Sequence, residues 1–289
     1  MKKFKILIPV YNDWQSLIKL LDEIGNSVEH IKNAKFDCLV INDASTIKLP
    51  KIQKPANLNS IKIINMIKNQ GHARCNAFGL RYTLQEDFDY LILMDGDGED
   101  RPEELSLFVE KIKSFPKQVV TGNRIKRSEG FIFKVCYILH KYLTFVFTGQ
   151  AIRFGNYTCL PKYVVNKMAN EAATWSSFSG ALTKLIADRE AITSTRGSRY
   201  FGPSKMSFTN LIMHSLSIIA VFKKTVLARS IIFLFVYFFL IHNFLSFITL
   251  IPVFSIIVFI YFIFSLSKRE NLDHLNNSLK NIASIEDVS

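Results

Sequence analysis

The stretch Tyr90-Leu91-Ile92-Leu93-Met94-Asp95-Gly96-Asp97-Gly98-Glu99-Asp100 decides the fold that this chain is expected to adopt. Its leading apolar and aromatic residues are typical of a strand buried on both faces, as in a parallel sheet covered by helices. The strand then runs into a cluster of carboxylates and glycines. Because open α/β sheets bind ligands beyond the carboxyl ends of their strands, Asp95 and Asp97 are expected in that crevice. Hard cations such as Mg2+ take one or two carboxylates together with diphosphate oxygens, so the pair predicts a metal site.

A polar turn that begins the next helix is the alternative interpretation of the same residues. Asp100-Arg101-Pro102-Glu103-Glu104 has the composition of a helix N-terminus, with proline in the first turn and acidic residues around it. An isolated Asp-x-Asp pair does not separate the two interpretations. The neighbouring segments have to decide.

The chain around this stretch alternates strands with helices. Strands are predicted at 4–10, 36–41, 60–66, 90–94 and 118–121, and helices at about 14–31, 69–86 and 100–114. This order predicts a mostly parallel, Rossmann-like α/β sheet. Polar residues follow four of the strands: Tyr11-Asn12-Asp13, Asn42-Asp43, Asn69, and Asp95 with Asp97. The general polarity of loops would explain the polar residues after each strand separately. A single ligand crevice explains why all four strands end in polar residues.

Composition favours a membrane surface and phosphate-bearing ligands over nucleic acid. The 289 residues carry a net charge of +12, yet 49% are hydrophobic and 25 are Phe. The aromatic residues lie in apolar runs and are not interleaved with basic ones. The cysteines (Cys38, Cys75, Cys136 and Cys159) form no CxxC pair, which suits a reducing compartment. The polar residues after the short N-terminal strand argue against a signal peptide.

The segment from Ser230 to Leu266 is an almost unbroken apolar run of 37 residues with no charge, and its strongly apolar composition tolerates His242 and Asn243. As one helix it would be about 55 Å long, against a hydrocarbon core of about 30 Å. A break near Pro252 would give two spans, so residues 230–267 are predicted to form a transmembrane hairpin. Basic residues precede and follow the pair, and the positive-inside rule then places the rest of the chain in the cytoplasm, at the cytoplasmic (inner) membrane. Residues 268–289 are predicted to be a polar tail, disordered or loosely helical.

Two further helices have the composition of membrane-surface elements. Residues 131–149 are mostly apolar with a narrow polar stripe formed by Lys134, Tyr137, Lys141 and Thr144. This pattern fits a helix in the bilayer interface and fits equally well a helix packed inside the domain. Residues 206–229 are predicted to form a juxtamembrane helix.

Six segments together resemble family 2 glycosyltransferases of GT-A fold, in particular the membrane-anchored polyprenyl-phosphate glycosyltransferases of the dolichol-phosphate mannose synthase and bactoprenol glucosyltransferase type. The resemblance covers residues 4–206, and residues 1–205 are taken as the catalytic domain. The segments are Ile8-Pro9-Val10-Tyr11-Asn12-Asp13, Ile41-Asn42-Asp43-Ala44-Ser45, Asn69-Gln70-Gly71-His72-Ala73, Asp95-Gly96-Asp97-Gly98-Glu99, Gly122-Asn123-Arg124-Ile125-Lys126-Arg127 and Arg199-Tyr200-Phe201-Gly202-Pro203-Ser204-Lys205. Each is weak alone, but their order along the chain is specific.

The resemblance implies roles for individual residues. The nucleotide pocket would be lined by Pro9, Tyr11, Asp13 and Asp43. Asp95 and Asp97 would hold Mg2+ or Mn2+ on the donor diphosphate, with Glu99 as a third ligand. Cationic contacts to donor or acceptor phosphates would come from Arg124, Arg127, Arg199 and Lys205, with Ser204 in the same closing loop. The resemblance also favours the interface interpretation of residues 131–149.

The chain departs from the family pattern in two places. Asn42 and Ile47 stand where relatives often carry acids near the base and ribose, which leaves the nucleotide open. Gly155-Asn156-Tyr157 falls where relatives carry acidic and aromatic residues that face the acceptor, which leaves the acceptor open. His72 and Cys75 receive no role.

The resemblance implies transfer of a hexose, with inversion, from a nucleotide diphosphate sugar to polyprenyl phosphate at a membrane, with a homo-oligomer as a further possibility and no nucleic acid partner. A phosphate monoester is largely dianionic at neutral pH and needs no general base, and the cations predicted near the acceptor favour it. Transfer to a hydroxyl of a lipid-linked glycan or of a capsule or lipopolysaccharide precursor is the second hypothesis. A catalytically silent membrane subunit is the third.

Overall fold

A computed structural model gives the structure of the protein over residues 1–126, 131–203 and 207–288. The strands are Lys2–Val10 (β1), Ala34–Asn42 (β2), Ser60–Met66 (β3), Tyr90–Leu93 (β4), Val119–Lys126 (β5), Phe154–Pro161 (β6), Arg189–Thr195 (β7) and Ile282–Val288 (β8). The α-helices are Trp14–Val28 (α1), His72–Tyr82 (α2), Leu105–Ser114 (α3), Phe131–Thr148 (α4), Lys162–Met168 (α5), Phe178–Leu185 (α6), Phe208–Ala220 (α7), Lys223–Ile241 (α8), Phe247–Ser267 (α9) and Leu272–Asn276 (α10).

In the described residues the strands form one sheet, in the order β7-β5-β6-β4-β1-β2-β3-β8. Strand β1 pairs in parallel with β2 and β4, β2 pairs in parallel with β3, and β5 pairs in parallel with β7. Strand β6 runs antiparallel between β4 and β5, and β8 runs antiparallel along the edge of β3. The prediction of a mostly parallel α/β sheet is therefore confirmed, with β6 and β8 as the antiparallel strands.

Helices cover both faces of this sheet because consecutive strand residues point to opposite sides. In β1, Ile6 and Ile8 pack with α1 and α3 on one face, whereas Leu7 packs with α2, α5 and α6 on the other. All three side chains are fully buried. The sheet is thus the middle layer of three, and the loops after its strands are held on a rigid support.

Helices α4, α7, α8 and α9 form a second, apolar bundle beside the sheet. Residues of α7, α8 and α9 make its core, with Leu143 and Phe147 of α4 packed against them. Helices α8 and α9 have 19 and 21 residues, long and apolar enough to cross a bilayer of about 30 Å. Most of their large hydrophobic side chains are exposed, which indicates membrane association.

The break between the two long helices lies at residues 242–246, and the prediction of a break near Pro252 is wrong. Ser246 caps α9 by accepting a hydrogen bond from the backbone N–H of Thr249, and the Thr249 side chain accepts one in return. This reciprocal pair satisfies two free N–H groups at the helix start. Pro252 then lies inside α9, where the cap has already fixed the direction of the chain.

The prediction of a single helix over 206–229 is also wrong. Helix α7 ends at Ala220, and Lys223 already belongs to α8. Arg229 of α8 donates hydrogen bonds to the carbonyl oxygens of Phe145 and Val146, at 3.3 and 2.9 Å. A cation at the last turn of a helix satisfies carbonyl groups that have no partner within that helix. Arg229 therefore ties the end of α4 to the start of α8.

Helix α4 presents apolar side chains outward. Ile138, Tyr142 and Phe145, one helical face at i, i+4 and i+7, are exposed. Thr144 is buried, and its hydroxyl donates to the carbonyl of His140, so it is not part of a solvent-facing stripe. The side chains of Lys134 and Tyr137 lie outside the described part of the chain.

The polar C-terminal segment is ordered against the sheet domain, which corrects the prediction of a disordered or loosely helical tail. After α9 the chain returns to the sheet, and β8 pairs with β3 from Ile61 to Met66. Leu275 of α10 is fully buried against Ala77 and Trp175. Since the chain leaves the sheet domain before α8 and rejoins it after α9, both ends of the hairpin lie on the side of that domain.

Candidate active site

The loop after β4 carries the predicted metal-binding carboxylates and is held in place by hydrogen bonds to the buried side chain of Asp100. The backbone N–H of Asp95 donates to Asp100 at 2.9 Å. Asp100 is only 1% exposed, and its other oxygen accepts a hydrogen bond from the Arg124 guanidinium at 3.0 Å. Asp95, Asp97 and Glu99 are partly exposed on the outer side of the loop. Asp100, which the sequence placed in a helix start, therefore fixes the loop from inside.

A second loop lies directly on the carboxylate loop. The backbone N–H of Gly197 donates to the carbonyl of Glu99 at 2.9 Å, and that of Tyr200 donates to the carbonyl of Asp97 at 3.0 Å. Arg199 donates to Asp97 at 2.8 Å and also forms an ion pair with Asp13, the residue before α1. Arg196 pairs with Glu99. Segment 196–200, called here the arginine loop, thus places two guanidinium groups against three carboxylates.

Negative charge is crowded in this site, and the pKa values show it. Burial, together with the charges of Asp95 and Glu99, raises the pKa of Asp97 to about 6. Burial and Asp95 raise the pKa of Asp100 to about 7. Burial would also raise the pKa of Asp95, but its contact with His72 and the nearby Arg124 outweigh burial and lower it.

The donor set of this loop fits a hard divalent cation. In the described residues, no group of three or more His, Cys, Asp or Glu side chains is assembled as a closed metal site. Mg2+ usually needs only one or two carboxylates, because the phosphates of its ligand and water supply the rest. Asp95 and Asp97 are such a pair, and the raised pKa of Asp97 is the mark of an anionic site that a cation would relieve. Glu99 faces Arg196, and its role as a third ligand stays a prediction.

The residues predicted to line a nucleotide pocket lie at the neighbouring strand ends. The carbonyl of Pro9 lies close against Gly96, and Tyr11, the residue after β1, is 41% exposed. Asp43 is buried, and its two oxygens accept the backbone N–H groups of Gln70 and Gly71 at 2.7 and 2.8 Å. Asp43 therefore shapes the turn before α2. Its contact with a base or ribose stays a prediction.

The structure brings together Asp13, Asp95, Asp97, Glu99, Arg124 and Arg199 around the end of β4. Arg127, Ser204 and Lys205 lie outside the described residues. Four further residues contact Asp95 or Glu99 and were not predicted as site residues: His72, Asn156, Asp100 and Arg196. Of these, only Asp100 had a local signal, since it ends the run of carboxylates that follows β4.

The sequence matches the family described as Glycosyl transferase family 2 over residues 5–170. This is more than half of the chain, which therefore belongs to glycosyl transferase family 2. Two curated relatives, from Proteus mirabilis (strain HI4320) and Klebsiella pneumoniae (strain 342), are both named undecaprenyl-phosphate 4-deoxy-4-formamido-L-arabinose transferase. Each is 26% identical, over 216 and 217 residues, covering 73% of this chain and 64% of the relative. The chain thus spans just under two thirds of the length of these relatives.

Solved structures of glycosyltransferases share the fold. Glucosyl-3-phosphoglycerate synthase from Mycobacterium tuberculosis, solved with Mg2+ and uridine diphosphate, aligns with a TM-score of 0.50 and 12% identity over 79% of each chain. S. aureus TarS 1-349, solved with UDP-GlcNAc, aligns with a TM-score of 0.52 and 13% identity over 97% of this chain and 92% of that one. At such identities the likeness is one of fold, and it confirms the expected GT-A architecture.

Proposed function

We propose that this chain transfers a hexose from a nucleotide diphosphate sugar to polyprenyl phosphate at the cytoplasmic face of a membrane, with inversion and with Mg2+ or Mn2+ bound by Asp95 and Asp97. The observation that carries the proposal is the meeting of these carboxylates with the arginine loop at the carboxyl end of β4. Family membership and the names of the two relatives support sugar transfer and the lipid phosphate acceptor.

The charges of the site suit the departure of a nucleoside diphosphate. A cation on Asp95 and Asp97 supplies Lewis-acid stabilisation of the developing diphosphate charge. Arg199 lies beside that charge, because its guanidinium contacts Asp97 and two backbone hydrogen bonds hold its loop against the carboxylate loop. Preorganised guanidinium groups stabilise developing negative charge at little cost in reorganisation.

A phosphate acceptor suits the same surroundings. A phosphate monoester with its second pKa near 6 is already largely dianionic at neutral pH, so no side chain has to remove a proton. Arg124 is mostly buried at the base of the site and is paired with Asp100. The exposed apolar face of α4 and the hairpin of α8 and α9 would hold a lipid chain near this site.

The test is the synthesis of a glycolipid. Membranes containing the protein are incubated with polyprenyl phosphate, Mn2+ or Mg2+ and a panel of radiolabelled nucleotide sugars, and the lipid extract is measured. We expect one sugar to enter a product that mild acid cleaves, as a sugar–phosphate–lipid is cleaved. EDTA is expected to abolish the product and added Mn2+ to restore it.

Each contrary outcome has a separate meaning. An acid-stable product would favour the hydroxyl acceptor over the lipid phosphate. Full activity in EDTA would remove the metal from Asp95 and Asp97. No product with any donor, while Asp97→Ala leaves cellular function unchanged, would favour the catalytically silent subunit.

A substitution at Gly98 is expected to separate the arginine loop from the carboxylate loop. Gly98 has a φ of +84°, and a Cβ there would lie 2.3 Å from the Tyr200 ring. That ring is held by the hydroxyl, which donates to Glu23, and by Lys19 above its face at 4.5 Å. Gly98→Ala must therefore displace the arginine loop, and we expect transfer to fall at least tenfold.

The matched control is Gly202→Ala. Gly202 also has a positive φ, +64°, but a Cβ there meets no atom of the described residues within 4 Å. Both variants take on the strain of a left-handed alanine, about 1 to 2 kcal/mol, so their difference isolates the contact with Tyr200. If Gly98→Ala and Gly202→Ala lost sugar transfer and thermal stability equally, the contact of residue 98 with the Tyr200 ring would have no effect on transfer.

A further inference from the structure

Two side chains from distant parts of the chain converge on one oxygen of Asp95. The ring nitrogen Nε2 of His72 lies 3.1 Å from Oδ1 of Asp95. Asn156 Nδ2, whose amide has two N–H groups, donates to the same oxygen at 3.1 Å and lies at hydrogen-bond distance, 2.7 Å, from His72 Nε2, and the Asn76 amide nitrogen lies 3.3 Å from that ring nitrogen. The other oxygen of Asp95, Oδ2, accepts no hydrogen bond from any residue that the structure describes.

The backbone fixes both partners in place. His72 is the first residue of α2, and the turn before it is held by Asp43 through the N–H groups of Gln70 and Gly71. Gly71 has a φ of +88°, a conformation that glycine adopts without strain. The chain is thus turned so that the His72 ring reaches across to the loop after β4.

Asn156 reaches Asp95 because of the antiparallel strand β6. Leu93, the last residue of β4, pairs with Thr158. In an antiparallel pair the two strands run in opposite directions. The residue two positions after Leu93 therefore lies opposite the residue two positions before Thr158. Asp95 and Asn156 therefore lie opposite each other past the end of the paired strands.

We propose that His72 and Asn156 are positioning residues that set the orientation of Asp95 for the donor cation. By holding Oδ1, they direct Oδ2 to the cation and restrict rotation of the carboxylate. The inference rests on the proposed function only in that Asp95 binds a divalent cation. Hydrogen-bond partners behind metal ligands orient them, and their loss typically lowers metal affinity by about 10- to 100-fold.

The binding of Mn2+ alone tests the proposal without any sugar transfer. The whole chain of residues 1–289 in detergent is titrated with Mn2+, and free Mn2+ is measured by electron paramagnetic resonance. We expect His72→Ala and Asn156→Ala each to weaken Mn2+ binding about tenfold, and His72→Gln, which retains a donor, to recover part of the loss. His30→Ala and Asn166→Ala make the same chemical changes at exposed positions and are expected to leave Mn2+ affinity unchanged.

A double-mutant cycle with Asp95→Ala distinguishes an effect of His72 and Asn156 through Asp95 from a general loss of structure. If His72 and Asn156 act through Asp95, their removal has no further effect on Mn2+ affinity once Asp95 is alanine. Thermal unfolding in EDTA checks that each variant is folded. Mn2+ affinity within twofold of wild type in both single variants, or the same loss in the Asp95→Ala background, would overturn the proposal.

The outcomes also separate this inference from the proposed function. Failure to make any glycolipid, with the Mn2+ results as expected, would leave His72 and Asn156 as positioning residues of a cation site with another use. Glycolipid synthesis with unchanged Mn2+ affinity in the variants would uphold the proposed function and reject their role.

Discussion

Asp97→Asn is expected to lower sugar transfer at least 100-fold while making the folded protein no less stable. The substitution removes the carboxylate charge that would hold the cation, and loss of one preorganised electrostatic group typically costs a factor of about 100 to 1,000. Stability is expected to move the other way, because the folded pKa of Asp97, about 6, is above its ordinary value of 3.8. An acid with a raised folded pKa is destabilising once pH exceeds its unfolded pKa, so at pH 7.5 the neutral asparagine relieves repulsion from Asp95 and Glu99.

The two measurements are glycolipid synthesis and thermal unfolding in EDTA at pH 7.5 and at pH 4. The gain in stability is expected at pH 7.5 and should vanish at pH 4, where wild-type Asp97 is already largely protonated in the folded state. Glu103→Gln is the control, since this carboxylate is exposed and its surface ion pair with Arg101 contributes little. A parallel fall of stability and transfer in Asp97→Asn would mean that the carboxylate is structural.

The sheet could be predicted where a single local pattern decided it. The run Tyr90–Met94 is buried, and the alternation of strands and helices up to Ser114 is confirmed, because each of these elements carries its own periodicity. Strand β8 was not predictable in this way. Its polar residues gave no strand period, and it is a strand because β3 offers an unpaired edge more than 200 residues earlier in the chain.

The break between α8 and α9 also shows which local signals predict structure and which do not. Pro252 is the strongest local helix-breaking residue in the apolar segment, yet the chain turns at 242–246. The signal that was overlooked is the capping pair of Ser246 and Thr249. This pair marks where α9 begins, and Pro252 lies inside the helix without ending it.

The active site divides between residues with a local signal and residues placed by the fold. Asp95 and Asp97 follow a buried strand in one short motif, so their position could be predicted. His72 and Asn156 are 84 residues apart in sequence, and only the antiparallel placement of β6 beside β4 joins them at Asp95. No pattern within either segment indicates that contact. A sequence alone therefore gives the candidate metal ligands before it gives the groups that orient them.

Arg199→Ala is expected to reduce sugar transfer about 100-fold and, unlike Asp97→Asn, to leave Mn2+ affinity unchanged or higher. In the structure the Arg199 guanidinium spans Asp13 and Asp97, so it occupies a carboxylate that the cation also needs. Removing it abolishes this competition and therefore favours the cation. The same removal takes away a donor that would stabilise the diphosphate as the bond to the sugar breaks, so transfer falls.

Opposite changes in the two measurements are the decisive feature. Arg199→Lys is expected to recover little transfer, because an ammonium group cannot span two carboxylates as a planar guanidinium does. Arg81→Ala is the matched control, since the Arg81 guanidinium donates a hydrogen bond to the side chain of Asn170 and not to a carboxylate. If Arg199→Ala weakened Mn2+ binding as much as transfer, the arginine would be supporting the carboxylate loop, and its charge would have no separate part in the reaction. If Mn2+ affinity held or rose while transfer fell, Arg199 would be needed for transfer and not for holding the cation.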